Sequence, residues 1–322
     1  MAAHNWEFDA DFGVYKNHSM SNRLLFQAAG RTKILPFTQP VEGYGKHMGE
    51  TVNLVRVNRL TVPSSAALDE GTRIPIDRLT LANRAITVAE FGRGVEYTNL
   101  NEQLSRYQPS NYLQKELIRQ MHYSVDAAAG AAFTGTDAAI KFIPTSATGG
   151  TFDTDGTAST TATNEFTFAH CGVLADYLAG DIHCPPWTGE TYMGLATRRT
   201  LRGLKNDNLL QSVHLYLRDG DFYYKGEVGM TENIRWVQID VEDTFSNTAG
   251  PNNSTLIGET VVFGDEAVAR VEVEAPHLRA DPNYQSDFGR TKAIAWYGIY
   301  QFATWYDVAT DGFARIIHIT SA

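Results

Sequence analysis

Two His-Cys pairs are the residues whose types best suit metal or thiol chemistry. They are His170-Cys171 and His183-Cys184, thirteen residues apart. Structural zinc sites space paired ligands about two to four residues apart, because adjacent side chains diverge too far to hold one ion. No basic cluster in the sequence surrounds either cysteine to stabilise a thiolate. The pattern therefore favours two small buried hydrophobic residues over a metal site or a nucleophile.

Glycine-rich stretches are the next candidates for chemistry, because their backbone can cradle phosphates. The stretch 43–49, GYGKHMG, lacks the spacing of a nucleotide loop. It also precedes a strand, whereas a dinucleotide site follows a strand and opens a helix. The stretch 91–94, FGRG, fails for the same reason, and no G-x-S-x-G, H-E-x-x-H or EF-hand motif occurs in the sequence. We therefore expect a protein that is not an enzyme and that holds no cofactor or metal.

Two charged runs have explanations that need no ligand. Glu272 and Glu274 alternate along a predicted strand, so both carboxylates share one face. A solvated strand face is favoured there over a cation site. In 198–205, RRTLRGLK, Leu201 and Leu204 face inward on a helix while the basic side chains face outward. This spacing predicts an amphipathic surface helix in preference to a phosphate contact.

The excess acidic charge lies in one part of the chain. The 322 residues hold 27 Lys and Arg against 37 Asp and Glu, a net charge of −10. Residues 1–140 are neutral, so the whole excess falls in 141–322. Proteins that bind nucleic acid carry a basic surface, so we expect that this chain could only enclose DNA and does not recognise its sequence. With no apolar run of about 18–20 residues and no signal-peptide pattern, the chain is expected to be soluble and not exported.

Two segments in the first third are not expected to fold by themselves. Residues 1–48 scatter aromatic residues around one short possible helix at 21–30, without periodicity. They predict either an irregular packed arm or an arm that binds another chain. Residues 51–60 and 85–91 alternate like paired strands. The excursion 61–84 between them predicts a long hairpin or an extended loop that projects from the body.

One strong helix follows at 110–133, with Ser110 as its predicted cap. Its apolar stripe advances by three and four residues, through Leu113, Leu117, Met121, Val125, Ala128 and Ala132. The opposite face is predicted to carry Lys115, Arg119 and Asp126.

The second half of the chain reads as an α/β unit followed by a β-rich return. Loops are predicted at 145–164 and 244–255, helices at 166–179 (capped by Asn164) and 195–210, and strands at 233–241, 259–263, 268–273, 291–306 and 313–319. The run 293–302 is apolar at nearly every position, which predicts a central strand buried on both faces.

The order of these parts resembles the Johnson fold of tailed-phage major capsid proteins. Three stretches are similar to the N-four-type phage coat family: EFGRGVEYTNL at 90–100 leading to NYLQKEL at 111–117, YKGEVG at 224–229 followed by NIRWV, and DFGRTK at 287–292 followed by AWYG. No single stretch is specific, since each consists mostly of glycines and aromatic residues. Their joint order over residues 85–306 carries the resemblance.

The resemblance implies an α+β fold with five parts. They are an N-terminal arm (1–49), an E-loop hairpin with its strands (50–98), a P-domain with the spine helix (99–165), an A-domain (166–258) and P-domain return strands (259–322). The implied function is that of a non-enzymatic major capsid protein, which self-assembles as hexamers and pentamers into an icosahedral shell enclosing double-stranded DNA. The Lys–Asn cross-linking known in one branch of the family is not predicted, because nothing in the sequence identifies its constellation.

The resemblance also implies partners and a location. The partners are other copies of the chain, scaffolding, portal and decoration proteins, and packaged DNA that is bound without sequence specificity. No membrane partner is implied. The location is the virion capsid, assembled in the host bacterial cytoplasm. A bacterial nanocompartment shell of the same fold, which would enclose an enzyme cargo, is the alternative, and a cytosolic β-rich enzyme is a more distant one.

The excursion 61–84 is where we expect contacts between subunits. It carries Arg73, Arg78 and Arg84 against three acidic residues, so it is locally neutral. A projecting loop that reaches a neighbour's acidic surface presents these arginines to carboxylates, which the planar guanidinium holds in fixed geometry. The alternative is that the arginines only keep the loop soluble.

Overall fold

The structure is a computed structural model that describes residues 33–60, 62–63, 67–68, 70–71, 73–105, 107–135, 139–146, 149–153, 164–206, 227–239, 258–282, 285, 287–306 and 313–321. The helices in this part are α1 (Asn99–Leu104), α2 (Pro109–Thr134), α3 (Phe168–Asp176) and α4 (Arg198–Asn206). The strands are β1 (Gln39–Pro40), β2 (Thr51–Val57), β3 (Leu81–Thr87), β4 (Ala89–Thr98), β5 (Ala139–Pro144), β6 (Phe152–Asp153), β7 (Tyr192–Thr197), β8 (Glu227–Thr231), β9 (Ile234–Ile239), β10 (Gly258–Phe263), β11 (Val268–Asp281), β12 (Thr291–Thr304) and β13 (Ile316–Ser321). The predicted helix at 21–30, most of the predicted arm and the predicted loop at 244–255 lie outside the described residues.

A four-stranded sheet with the order β1-β11-β12-β4 contains the two longest strands. β12 lies between β11 and β4 and is antiparallel to both, which confirms the prediction of a central strand. Its burial alternates, however, so the prediction that both faces are fully buried is wrong. The reason is that helix α2 covers one face, where Leu117 meets Ile294 and Trp296, while the side chains of the other face are half-buried.

The doubly buried strands belong to a second, seven-stranded sheet with the order β6-β5-β13-β10-β7-β9-β8. Every residue of β7, β10 and β13 is buried. Successive side chains alternate between two cores, because strand side chains point to opposite faces. In β7, Met193 and Leu195 join the core shared with α2, and Tyr192 and Ala196 join the core shared with α3 and α4. This sheet is therefore covered on both sides.

Helix α2 connects the two sheets. Leu117 packs on the four-stranded sheet, whereas Val125, Ala129 and Phe133 enter the core of the seven-stranded sheet. The predicted spine helix is confirmed. Its predicted cap is wrong by two residues, since the cap position is Gln108 and Pro109 begins the helix, where a missing N–H costs no hydrogen bond.

The sequence predicted that Asp126 lies on the exposed face of α2, and this prediction is wrong. It is almost fully buried. Its carboxylate accepts hydrogen bonds from the backbone N–H groups of Lys33 (3.2 Å), Ile34 (2.9 Å) and Leu35 (3.0 Å). Burial raises the pKa of Asp126, and the backbone donors act in the opposite direction. The residue therefore fixes the point at which the N-terminal segment meets the helix.

Several predicted element bounds shift in the structure. Helix α3 follows Thr167 rather than a cap at Asn164, because His170 Nδ1 accepts the Thr167 N–H at 3.1 Å and lies 2.8 Å from its hydroxyl. Residues 195–197 continue strand β7, so the predicted helix at 195–210 begins only at Arg198. On α4, Leu201 and Leu204 are buried and the basic residues Arg198, Arg202 and Lys205 are exposed, which confirms the amphipathic prediction.

The predicted return segment 259–322 is divided between both sheets. Its first and last strands, β10 and β13, pair with each other in the seven-stranded sheet. Its middle strands, β11 and β12, form the centre of the four-stranded sheet. The partition of the chain into arm, E-loop, P-domain and A-domain stays a prediction.

Candidate interaction surface

A two-stranded ribbon projects from this body and carries the clearest candidate for a binding surface. β2 and β3 pair antiparallel from Thr51–Thr87 at the base to Val57–Leu81 at the outer end, and they form a sheet of their own. The predicted partner strand at 85–91 is thus two strands, because 81–87 pairs with β2 and 89–98 joins the four-stranded sheet. A loop of more than twenty residues connects the outer ends.

The inner face of the ribbon is fixed to the body. Val52, Leu54 and Ile86 pack with Ala269 and Val271 of β11 in a small core of their own. Farther out, the Arg56 guanidinium lies 5.2 Å from the centre of the Phe313 ring, a cation–π distance. The base of the ribbon is therefore held in place by its inner face.

The outer face changes from polar to apolar along its length. At the base, the hydroxyls of Thr51 and Thr87 lie 3.1 Å apart. One step farther, the Asn83 amide donates to Asn53 at 3.2 Å. Beyond these pairs, the outer face carries only large apolar side chains at its end, and they are exposed.

These side chains continue into the loop and form what we call the tip patch. It consists of Val55, Val57, Leu60, Val62, Leu68, Ile74, Ile76, Leu79 and Leu81. Nine of the seventeen large apolar side chains that are exposed in the described part of the chain thus fall within 27 residues. Ile74 is 65% exposed and Ile76 72%. Exposed apolar side chains that cluster in this way mark interaction sites.

The structure separates the three arginines expected to contact other subunits. Arg73 and Arg78 are exposed on the loop, beside the tip patch, and no ion pair joins either of them to a described residue. Arg84 lies on the inner face of the ribbon, opposite Leu54, and is half-buried. Arg73 and Arg78 are thus the two that face outward. The contact of all three with another subunit stays a prediction.

The His-Cys pairs do not come together as a site. His170 lies in the first turn of α3 as the capping partner of Thr167, and burial lowers its pKa. The His183 ring contacts the Ala179 carbonyl at 3.1 Å. Both cysteines are buried, and burial raises the pKa of Cys184 to about 11, which leaves its thiol protonated at neutral pH. Across the described ranges, no three His, Cys, Asp or Glu side chains are grouped so that they could hold a metal ion.

The predicted acidic strand face is interrupted. A register shift in β11 falls between Glu272 and Glu274, so the regular alternation that would put both on one face is lost. Glu274 accepts a hydrogen bond from Arg279 at 2.6 Å, and Glu272 lies 3.7 Å from Arg270.

None of the described helices is long and apolar enough to span a membrane.

The sequence predicted the projecting segment, but only its arginines, Arg73, Arg78 and Arg84, were named as contact residues. The tip patch was recognisable from the sequence, since apolar residues such as Ile74 and Ile76 flank Pro75 in a segment without helical or strand periodicity. Such residues have no strand or helix face to bury.

Comparison with solved structures identifies the fold. No protein-family model matches the sequence, and no curated protein has a significantly similar one. The structure is similar to a chain of the cyanophage Pam1 capsid (TM-score 0.71, 15% identity, 100% of this chain and 99% of that one). It is also similar to chains from the capsids of Helicobacter pylori bacteriophage KHP30 (TM-score 0.70, 12% identity, 99% of both chains) and Ralstonia phage GP4 (TM-score 0.66, 12% identity, 95% of both chains). The chain therefore has the α+β Johnson fold of phage capsid proteins, as the resemblance implied.

Proposed function

We propose that this protein is the major capsid protein of a tailed bacteriophage and that it self-assembles into the shell. Similarity to phage capsid structures over nearly the full chain supports this role. We further propose that the shell is icosahedral, is built of hexamers and pentamers, and encloses double-stranded DNA. The role is structural and not enzymatic.

The tip patch is the observation that carries the proposal. A monomer would expose nine large apolar side chains on one projecting ribbon, which favours aggregation and not solubility. Burial against a neighbouring copy removes this surface from water, and each Å² of buried apolar area stabilises the assembly by about 25 cal/mol. In this account the ribbon is the E-loop, and the surface of an adjacent subunit covers its outer end.

Charge fits the same account. The net charge of −10 repels DNA, which suits a container that must release its genome. Arg73 and Arg78, exposed beside the tip patch, add pairing with a neighbour's carboxylates in this proposal. We also propose scaffolding, portal and decoration proteins as further partners, and assembly in the cytoplasm of a bacterial host.

Sedimentation velocity and negative-stain electron microscopy test the proposal. The wild-type chain is expected to form capsomers or closed particles of megadalton mass. Replacing Ile74 and Ile76 together by Asp places two charges in the tip patch, and an unpaired charge in an interface costs several kcal/mol. We expect the double variant to keep the wild-type melting curve and to yield no particles.

Leu104→Asp is the matched control, because Leu104 is 78% exposed on helix α1, away from the ribbon. It is expected to form particles. Equal assembly by the tip-patch variant would refute the proposed role of the patch. The contents of particles purified from the host separate the alternatives, since a nanocompartment would hold an enzyme and a capsid would hold nuclease-protected DNA.

A further inference from the structure

The turn between the two longest strands presents an aromatic ring to solvent. Phe288 lies between β11 and β12 and is fully exposed. Its φ is 58°, in the left-handed region that bulky residues rarely adopt. The ring is far from the tip patch in sequence, and the ribbon does not explain its exposure.

Hydrogen bonds hold this turn in its unusual conformation. The Asp287 carboxylate accepts the Thr291 N–H at 3.0 Å and the Thr291 hydroxyl at 2.8 Å. The Arg290 N–H donates to the Asp287 carbonyl at 3.3 Å, and Gly289 follows Phe288 with a φ of 80°. The bonds to Thr291 lower the pKa of Asp287, which favours the ionised carboxylate that they require. A fixed turn loses little entropy when its exposed ring is bound.

A pocket at the other end of the same two strands matches an aromatic ring. A cavity of about 210 Å³ lies between α2, β11 and β12, and its apolar lining comes from Leu35, Met121, Val125, Pro276 and Phe302. The exposed His122 and the half-buried Glu272 lie on its wall, so the cavity opens to solvent.

The same pocket contains a tyrosine hydroxyl without a hydrogen-bond partner among the described residues, although the carboxylates of Asp126 and Glu272 also line it. The hydroxyl belongs to Tyr300, which lines the pocket and is almost fully buried. An unpaired buried donor is costly, so native proteins rarely leave one. A backbone carbonyl that enters the pocket and displaces the atoms covering the hydroxyl would satisfy it. This need is independent of the exposure of Phe288.

We propose that Phe288 of one copy enters this pocket of a second copy. The apolar wall accepts the ring, the carbonyls of the turn offer acceptors to Tyr300, and Arg290 joins Arg270 beside the Glu272 carboxylate. The contact cannot form within one chain, because nine residues of extended β12, about 30 Å, separate Thr291 from Tyr300. This inference rests on the proposed assembly of the chain with itself.

The contact is head-to-tail, since it joins two different surfaces of the chain. Contacts of this kind generate a ring when the rotation between subunits closes. A second contact between subunits, separate from the tip patch, is what a closed shell requires of each copy. Aromatic anchors in pockets commonly supply much of the binding energy of an interface.

A cysteine cross-link tests the contact directly. The double variant Gln285→Cys, His122→Cys places one thiol beside Phe288 on the turn and one on the wall of the pocket, and it keeps the Phe288 ring. After assembly and mild oxidation, a non-reducing gel is expected to show a ladder of covalent multimers. The control pair, Gln285→Cys with Val173→Cys on helix α3, is expected to give no ladder, and Phe288→Ala should lower the particle yield at least tenfold.

The two proposals fail in different ways. If the wild-type chain forms no particles, the proposed function fails before this contact is tested. If the wild-type and the double variant both form particles, but oxidation gives no ladder, the inference is wrong and the proposed function stands. Wild-type particle yield from Phe288→Ala would also overturn it.

Discussion

At the scale of single residues, Asp126 shows how one buried carboxylate organises a chain. It lies on the longest helix and accepts three consecutive backbone N–H groups from 33–35. The sequence placed it on the outer face, because a charged residue beside Lys115 and Arg119 is usually exposed. The partners that make its burial tolerable lie more than ninety residues away, and no local pattern reveals them.

Replacing Asp126 by Ala is expected to lower the free energy of unfolding by about 1–3 kcal/mol, because one buried and two half-buried backbone donors lose their acceptor. Asp126→Asn keeps one carbonyl oxygen and should cost less. Urea denaturation of the unassembled subunit measures both. Glu116→Ala removes an exposed carboxylate from the same helix and is expected to change stability by less than about 0.5 kcal/mol. An equal loss in Glu116→Ala and Asp126→Ala would contradict the role given to Asp126.

At the scale of elements, strong periodicity predicted well and pairing did not. The helix predicted at 110–133 is confirmed, and it could be predicted because its apolar stripe repeats over six positions. The assignment of strands to sheets was out of reach, since β10 and β13 enter one sheet while β11 and β12, between them in sequence, enter another. The long apolar run at 293–302 led to the wrong prediction that both faces of this strand are buried. The face turned away from α2 carries apolar side chains although it is only half-buried.

The faces of α2 are tested by two charge substitutions. Leu117→Asp places a carboxylate against Ile294 and Trp296, and it should destabilise the fold by at least about 3 kcal/mol. Soluble expression is therefore expected to collapse. Arg119→Asp changes a side chain that is 33% exposed and breaks its surface ion pair with Glu116, so it should cost only about 0.5–1 kcal/mol and be tolerated. Similar solubility of the two variants would show that the faces are wrongly assigned.

At the scale of the whole molecule, the projecting parts make sense only when copies of the chain meet. The tip patch and Phe288 are exposed in one chain, and the two cores of the body need neither. A sequence can indicate that such residues lack a place in the fold. It cannot show which neighbour covers them, because that depends on the symmetry of the assembly.

Charge at the ribbon gives a prediction at this scale. Replacing Arg73 and Arg78 together by Glu should leave the melting curve of the subunit nearly unchanged, because both side chains are exposed. Particle formation should be blocked or altered, since a shell repeats each weak pair many times. Particle counts at low and high salt measure this, and wild-type yields at both would show that the charges only keep the loop soluble.

A cryo-electron microscopy map of particles formed by this chain tests the central claim most directly. We expect a closed icosahedral shell of hexamers and pentamers in which density from an adjacent copy covers Ile74, Ile76 and the rest of the tip patch. A preparation that contains only dispersed subunits would contradict the claim, and so would a shell in which the tip patch faces solvent.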